Sequence, residues 1–325
     1  MKIAVTGASG HIGNCLVKEL KKQGAEIKVL VHDTSDVPIE IDVEPVRGNL
    51  LDPESLFNLC AGVDVVFHLA AQIAIDNVSS ERVYETNVTG TKNMIIAANK
   101  SGVKKFIHFS SIHAFRIGSP DQMLDESRSL VETNKVIYEF TKAEGERVVM
   151  KAVKEGLNAV ILNPTAVIGP FDYRCSLLGQ ALLKIHQNKL PFLVSGGYNW
   201  VDVRDVVSAS IKAIESGRKG EKYILSGEYC SLHELSAMIS KISGCKVPII
   251  VPIILARLAC PFFKIYSSVT NKQPLYTYQS LDILVNSPVN VSYAKAKNEL
   301  GYEPRPLDQT LRDTFDWYEE NNFIN

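Results

Sequence analysis

Tyr138 and Lys142 stand four residues apart in Tyr138-Glu139-Phe140-Thr141-Lys142, within a segment of helical period. That spacing puts both on one helix face, where the ammonium can sit beneath the ring and favour its phenolate. A free phenol titrates at about 10, so a positive neighbour is what makes a tyrosine usable for general acid–base work near neutrality. Upstream, the β-rich run Lys104–Phe109 ends in Ser110-Ser111. Strand alternation turns the two hydroxyls to opposite faces, so one of them is placed to orient a substrate oxygen. The Tyr-x-x-x-Lys pattern alone is unspecific: it recurs at Tyr293 and Lys297, in a C-terminal helical region far from any strand-end serine. Only the first copy has a context that brings it to the carboxyl edge of a sheet.

A second group of residues has the chemistry of a phosphate turn. Thr6-Gly7-Ala8-Ser9-Gly10-His11-Ile12-Gly13 directly follows a strand and directly precedes a helix. Glycines at such a turn let the backbone approach a pyrophosphate, and the helix N-terminus offers free N–H groups and a partial positive charge. Gly7, Ser9, Gly10, His11, Ile12 and Gly13 are therefore expected to hold a dinucleotide, with the spacing G-x-x-G-x-x-G rather than G-x-G-x-x-G. The end of the second strand, Val29-Leu30-Val31-His32-Asp33, bears on cofactor choice. A carboxylate at Val31 would accept from the ribose hydroxyls of NAD and repel the 2′-phosphate of NADP. Valine there, followed by His32 as a donor to phosphate, tips the expectation towards NADP(H) over NAD(H), with Asp33 working against it. Asn49 and Leu50 close the third strand region, where an adenine ring would lie, and the amide can both donate and accept at a base edge. Leu69, Ala70 and Ala71 follow His68 with mostly small side chains, which lets backbone and cofactor pass closely.

Positioning these groups requires a sheet with helices on both faces. Lys2–Thr6, Glu26–Val31, Asp64–His68, Lys104–Phe109 and Asn158–Leu162 read as strands, and Ile12–Gln23, Pro53–Cys60, Ser80–Asn99 and Glu132–Lys154 carry the helical period between them. Strands apolar on both faces, such as VDVVFHLA and KKFIHFSS, belong to a parallel sheet covered on each side, so the expected class is α/β with a doubly wound parallel sheet. After Asn163-Pro164 the rhythm loosens. Residues 1–165 are expected to form the dinucleotide-binding domain, with 200–226 returning to it. Residues 166–199 and 227–325 then form a smaller, interleaved and mainly helical substrate domain.

Composition excludes several classes of function. The chain has 325 residues, enough for about two domains. Its 35 Lys+Arg against 36 Asp+Glu leave a net charge of -1, no basic stripe for nucleic acid, and too apolar a composition for disorder. Six scattered cysteines, Cys15, Cys60, Cys175, Cys230, Cys245 and Cys260, show no metal-ligand or disulfide spacing, so no metal is expected and a cytoplasmic, reducing location is. The N-terminus reads as a strand rather than a signal peptide. The apolar stretch Val247–Tyr266 is interrupted by Pro248, Pro252, Pro261, Arg257 and Lys264, which leaves a buried or amphipathic helix and no integral membrane association.

In order along the chain, TGASGHIG, HLAA, Thr86-Asn87-Val88-Thr89-Gly90-Thr91, FSS, YEFTK, Asn163-Pro164 with Gly169-Pro170, and Trp200-Val201-Asp202-Val203-Arg204-Asp205 resemble the extended short-chain dehydrogenase/reductase family. The resemblance implies a Rossmann domain, a nicotinamide cofactor and a Ser–Tyr–Lys site. It selects Ser111 of the two serines, has Lys142 also bond the nicotinamide ribose, and places Thr86, Asn87 and Pro164 near the cofactor. A homodimer through the helices of the Ser80–Asn99 and Glu132–Lys154 regions is the family's expectation. Ser111-Ile112-His113 stands where sugar dehydratases of the family look like Thr-Asp-Glu, so dehydration is not expected. Tyr198-Asn199-Trp200 stands where nucleotide-sugar epimerases usually carry an arginine. Asn199 and the apolar Val247–Tyr266 stretch look more like the dihydroflavonol reductase and 3β-hydroxysteroid dehydrogenase branches. The leading expectation is an NAD(P)-dependent oxidoreductase acting on a secondary alcohol or ketone of a moderately apolar small molecule. A nucleotide-sugar epimerase and a non-catalytic dinucleotide-sensing regulator are its rivals.

Overall fold

The computed structural model describes residues 1–33, 41–73, 79–118, 122–133, 135–270 and 277–324, the side chains of 262–270 and 279 excepted. The chain opens as β1 (Lys2–Thr6), α1 (His11–Lys22), β2 (Glu26–Val31), β3 (Glu44–Arg47), α2 (Pro53–Cys60), β4 (Val65–His68), α3 (Ser80–Tyr84), α4 (Gly90–Lys100), β5 (Lys105–Phe109), α5 (Ile137–Lys154) and β6 (Ala159–Pro164). It continues as β7 (Ala166–Ile168), α6 (Leu177–His186), β8 (Phe192–Val194), β9 (Gly197–Asp202), α7 (Val203–Glu215), β10 (Lys222–Leu225), β11 (Glu228–Ser231) and α8 (Leu232–Ser243). The last elements are β12 (Ile249–Val251), α9 (Ile253–Thr270), α10 (Tyr278–Val285), α11 (Ala294–Leu300) and α12 (Leu307–Glu320).

Neighbouring residues along the central strands drop into different cores. Ile3, Val5, Val29, Phe67, Ile107 and Val160 pack on one side with Leu16 and Leu20 of α1 and Val206 of α7. Ala4, Val66, Phe106 and Ile161 pack on the other with Leu56 and Leu59 of α2, Met94 of α4 and Val149 of α5. A period-2 chain with both phases apolar is the pattern of a parallel sheet covered on both faces. Among the described residues the sheet is β3-β2-β1-β4-β5-β6-β10, parallel at every pairing. Its order reverses between β1 and β4, and such a switch point opens a crevice at the carboxyl ends of the strands.

Two small sheets, β11-β9-β7 and β12-β8, lie outside it. They share a third core in which Ile168, Trp200, Leu193, Leu182, Leu235, Phe315 and Tyr318 meet. The Asp202–Asp205 motif joins this core to the chain's last helices. Asp202 caps α7 through the Arg204 N–H (2.8 Å) and holds the Arg204 guanidinium, which also reaches Asp313 of α12 at 2.7 Å, while Arg305 pairs with Asp205 at 2.7 Å. The motif thus acts in this structure as a brace.

Three readings of the elements change. The helix expected over Ser80–Asn99 is interrupted by a π-helical turn at Glu85–Thr89, a wide turn of the kind found at functional sites. The helix expected from Glu132 begins at Ile137, and residue 134 within that expectation lies outside the described residues. β7, β9 and β11 carry too little periodicity to be read locally, because each is defined by pairing with a distant segment. No helix among the described residues is long and apolar enough to cross a membrane. Residues 271–276 of the expected substrate domain lie outside the described residues.

Candidate active site

The glycine turn is built by close backbone approach at the switch point. Gly7 has φ +75°, and a Cβ there would meet the Ala70 N at 2.7 Å. A Cβ on Gly13 would stand 2.1 Å from the Gly7 O, so α1 crosses the end of β1 with no room for a side chain. Gly10 differs: its Cβ would touch only the Gly7 O, at 3.4 Å. Protein packing therefore does not demand glycine at Gly10, whereas a ligand passing the turn would. The first turn of α1 holds no acidic residue and Gly10 supplies no side-chain cap, leaving the N–H groups and the dipole to an anion. At the end of β2, Val31 is buried and His32 is exposed. These features fit a dinucleotide with its pyrophosphate on α1.

Buried polar side chains hold the strand ends in register. The Thr6 hydroxyl and His68 Nδ1 are 2.8 Å apart, His68 Nε2 lies 3.0 Å from the Thr91 hydroxyl, and the Ala70 N–H donates to Thr6 Oγ1 at 3.2 Å. Burial pushes His68 down to about 3, so the imidazole is neutral and one ring nitrogen donates while the other accepts. Asn87, in the π-helical turn, accepts from the Gln72 N–H at 2.7 Å and donates to the Gln72 carbonyl and the Thr141 hydroxyl, both at 3.0 Å. The wide turn thereby ties the loop after β4 to α5 one residue before Lys142.

Ser111 and Tyr138 line one cavity, and the Ser111 side chain is a polar neighbour that favours the Tyr138 phenolate. Ser111 Oγ accepts from the His113 N–H at 3.2 Å, capping the short 3₁₀ turn Ile112–Ala114. Ser110 lines the same cavity with its buried hydroxyl without a hydrogen-bond partner, whereas Ser111 is the serine whose side chain acts on Tyr138. Lys142 departs from the expected arrangement. Its Nζ donates to the Phe109 carbonyl at 2.8 Å, and it exerts no resolved pull on the phenol. Burial instead pushes Tyr138 above the ordinary 10.0, against the influence of Ser111. The physical reason is that residues four apart share a face, but the longer side chain takes the nearest acceptor, here a strand-end carbonyl. Burial also pushes Lys142 down to about 8, with the Glu146 charge opposing the shift.

One cavity of about 1490 Å³ joins the glycine turn to the group Ser111, Tyr138 and Lys142, while Asn87 does not line it. Gly7, Ser9, Gly10, His11, Ile12, Gly13, His32, Asn49, Leu50, Leu69, Ala70, Ala71, Thr86, Ser111, Tyr138, Lys142 and Pro164 all line it. Asn49 uses its side-chain oxygen on the Leu51 N–H at 2.8 Å, leaving the amide nitrogen for a base edge. His11 reaches across to the Pro170 carbonyl at 2.9 Å. The cavity continues between α6, α8 and α10 over Leu178, Leu182, Leu193, Leu235, Ile283 and Leu284. Asn199 donates to the Pro288 and Val289 carbonyls at 2.7 and 3.2 Å and so fixes that wall. The second Tyr-x-x-x-Lys is structural, with Tyr293 edge-on to Tyr302 and Lys297 paired with Glu303.

Sequence reasoning assigned no place in the site to His113. It lines the cavity beside Tyr138, ring centroids 6.3 Å apart, and burial holds it at about 4 and hence neutral. Its signal was its position two residues after Ser111. All six cysteines are free, and burial pushes Cys15, Cys60 and Cys230 up to about 12, which leaves them unreactive. Among the described residues no cluster of His, Cys, Asp or Glu is arranged to hold a metal.

Residues 3–226 match the family model described as NAD dependent epimerase/dehydratase. The chain is 29% identical over 338 residues, 100% of both proteins, to sterol demethylase protein B of Methylococcus capsulatus. It is 30% identical, over 98% of this chain and 95% of the relative, to a protein of Synechocystis sp. provisionally named dihydroflavonol 4-reductase. Among solved structures, the crystal structure of gox2253 superposes with a TM-score of 0.84 at 32% identity, covering 99% of both chains.

Proposed function

This chain belongs to the NAD dependent epimerase/dehydratase family, and we propose that within it the protein is an oxidoreductase for the secondary alcohol or ketone of a moderately apolar small molecule. One observation carries the reading. The Ser111–Tyr138 pair and Lys142 sit in the same cavity as the glycine turn, and the wall beyond them is mostly aliphatic. The names of the relatives, a sterol-processing protein and a dihydroflavonol reductase, point to polycyclic substrates of the same character. Bound in this cleft, a nicotinamide cofactor supplies or accepts the hydride.

The chain's own residues orient and move the proton. Ser111 holds the substrate oxygen, Tyr138 gives that oxygen its proton in reduction and takes it in oxidation, and Lys142 bonds the nicotinamide ribose. With Tyr138 pushed up by burial, the phenol enters reduction protonated, as an acid must. Residues 1–165 with 200–226 serve the cofactor in this reading, and 166–199 with 227–325 serve the substrate.

Titration with NADPH and NADH, followed by each reduced cofactor with ketones, aldehydes and nucleotide sugars, tests the reading. Net consumption on an apolar ketone is expected. Sugar isomerisation without net consumption would move the protein to the epimerases, and binding without any turnover would make it a sensor. NADPH is expected to bind more tightly than NADH, since no carboxylate ends β2 and exposed His32 faces the cavity. Replacing His32 by Asp is expected to weaken NADPH roughly tenfold and leave NADH unchanged, because a carboxylate repels the 2′-phosphate. Fluorescence titration reads both constants, and equal losses for both cofactors would remove His32 from the phosphate. A homodimer through α4 and α5 is part of the proposal, with Tyr84 and Ile96 each 40% exposed on or beside α4. Sedimentation at a monomer mass would discard it.

A further inference from the structure

Glu146 lies four residues beyond Lys142 and eight beyond Tyr138, so all three share one face of α5. Its side chain is completely buried. One carboxylate oxygen accepts from Asn163 Nδ2 at 2.6 Å, and the other is 2.5 Å from the Lys222 ammonium of β10. The same Asn163 amide donates to the Ser111 carbonyl at 3.0 Å, and Asn163 immediately precedes Pro164. Three elements therefore meet on one carboxylate: the loop after β5 that carries Ser111, the end of β6, and the helix that carries Tyr138 and Lys142.

Such a buried charge is costly unless its partners are arranged around it. The charges here are two ammoniums, Lys142 and the partly exposed Lys222, and one carboxylate that contacts Lys222 and acts on Lys142 through its charge. The other titratable groups facing Lys142 do not compensate it. His68 of β4 and His108 of β5 are held neutral by burial, with the Lys142 charge adding to the shift, and Tyr138 is un-ionised, so none of them carries a charge that offsets the ammonium. Glu146 is the one group resolved as favouring the Lys142 ammonium.

We propose that Glu146 is the positioning residue of this centre: its carboxylate locks Ser111 and Asn163 onto the helix that carries Tyr138, and its charge balances the Lys142 ammonium. The inference rests on the Ser111–Tyr138–Lys142 reading above and deepens it. Glu146 touches neither substrate nor cofactor, so its effect is exerted through Lys142 and Ser111.

The test is Glu146→Gln, which keeps an oxygen for Asn163 and removes the charge, alongside Glu146→Asp, which keeps the charge. Lys142 must be charged to work, so activity falls as pH rises through its pKa. In the Gln variant that high-pH limb is expected about one unit or more lower, with little change in substrate KM. The Asp variant should restore the limb. A second reading uses the cofactor-free protein. Lys142 has its folded pKa depressed from 10.5 to about 8, so its share of the stability is lowest below 8 and recovers as pH rises towards 10.5. Taken as the difference from Lys142→Met, that recovery should begin at lower pH in Glu146→Gln. A Gln variant with the wild-type limb and the wild-type recovery overturns the proposal. If the Gln variant does not fold, Lys222→Met serves, because it leaves the carboxylate to Lys142 alone. Its limb is expected to move upward, and an unmoved or lowered limb overturns the proposal. Tyr138→Phe separates the two readings. If that variant keeps full turnover the Ser–Tyr–Lys assignment itself fails, whereas if it is inactive and Glu146→Gln behaves as wild type, only the role of Glu146 fails.

Discussion

Replacing Tyr138 by Phe is expected to reduce turnover by roughly 10²- to 10⁴-fold, the range that a positioned acid–base group contributes, while leaving cofactor affinity unchanged. The substitution removes one oxygen from a ring that otherwise keeps its packing against His113. Any single hydrogen bond made by the phenol is worth about 0.5–1.5 kcal/mol, small against the ~5–15 kcal/mol stability of a domain. The variant should therefore fold and bind dinucleotide. Single-turnover reduction of a ketone by pre-bound cofactor isolates the step, since it removes product release from the rate. Wild-type single-turnover rates would show that the substrate oxygen takes its proton from elsewhere, with the neutral imidazole of His113 as one candidate lining the cavity.

Gly13→Ala and Gly10→Ala are expected to fail in different ways, and the contrast is the second large effect. At Gly13 the new Cβ would lie 2.1 Å from the Gly7 O, 2.8 Å from the Ala8 Cα and 2.9 Å from the Ala8 C. Every obstacle is backbone, so no rotamer change relieves it, and either α1 or the turn must shift. Overpacking of this kind costs about 1–3 kcal/mol. The displaced turn should lose dinucleotide binding as well, and thermal melting with cofactor titration reads both. At Gly10 the backbone is extended (φ -76°, ψ 168°) and a Cβ is tolerated by the protein. The cofactor-free variant should melt no lower than wild type, because alanine restricts the unfolded chain by about 0.4–1 kcal/mol. Its affinity for dinucleotide should nevertheless collapse, since the methyl occupies the approach of the phosphates. Normal binding by Gly10→Ala would remove the pyrophosphate from this turn.

The local chemistry of the site was legible in the chain where it depended on short-range geometry. A glycine turn between a strand and a helix, a serine pair at a strand end, and a tyrosine and lysine one helical turn apart are all set by neighbours within a few residues. The double apolar phase of β4 and β5 announced a sheet covered on both faces, and the helices on each side confirm it residue by residue. The π-helical turn at Glu85–Thr89 was not legible, because the backbone hydrogen bonds that widen it are stabilised by Asn87 bonding to Gln72 and Thr141, distant in sequence.

Sequence by itself determined the sheet class, and the strand ends at which the glycine turn, the serine pair and the tyrosine–lysine helix gather on one candidate site. Tertiary structure alone decided their electrostatics. Lys142 turns to the Phe109 carbonyl rather than to the phenol, and Tyr138 is pushed up instead of down. Glu146 faces Asn163 and Lys222, 17 and 76 residues away in the chain. The reason is that spacing along a helix fixes only the face on which a side chain starts. Where a long side chain ends, and what charge it keeps, depends on the acceptors, charges and water that other strands leave within its reach.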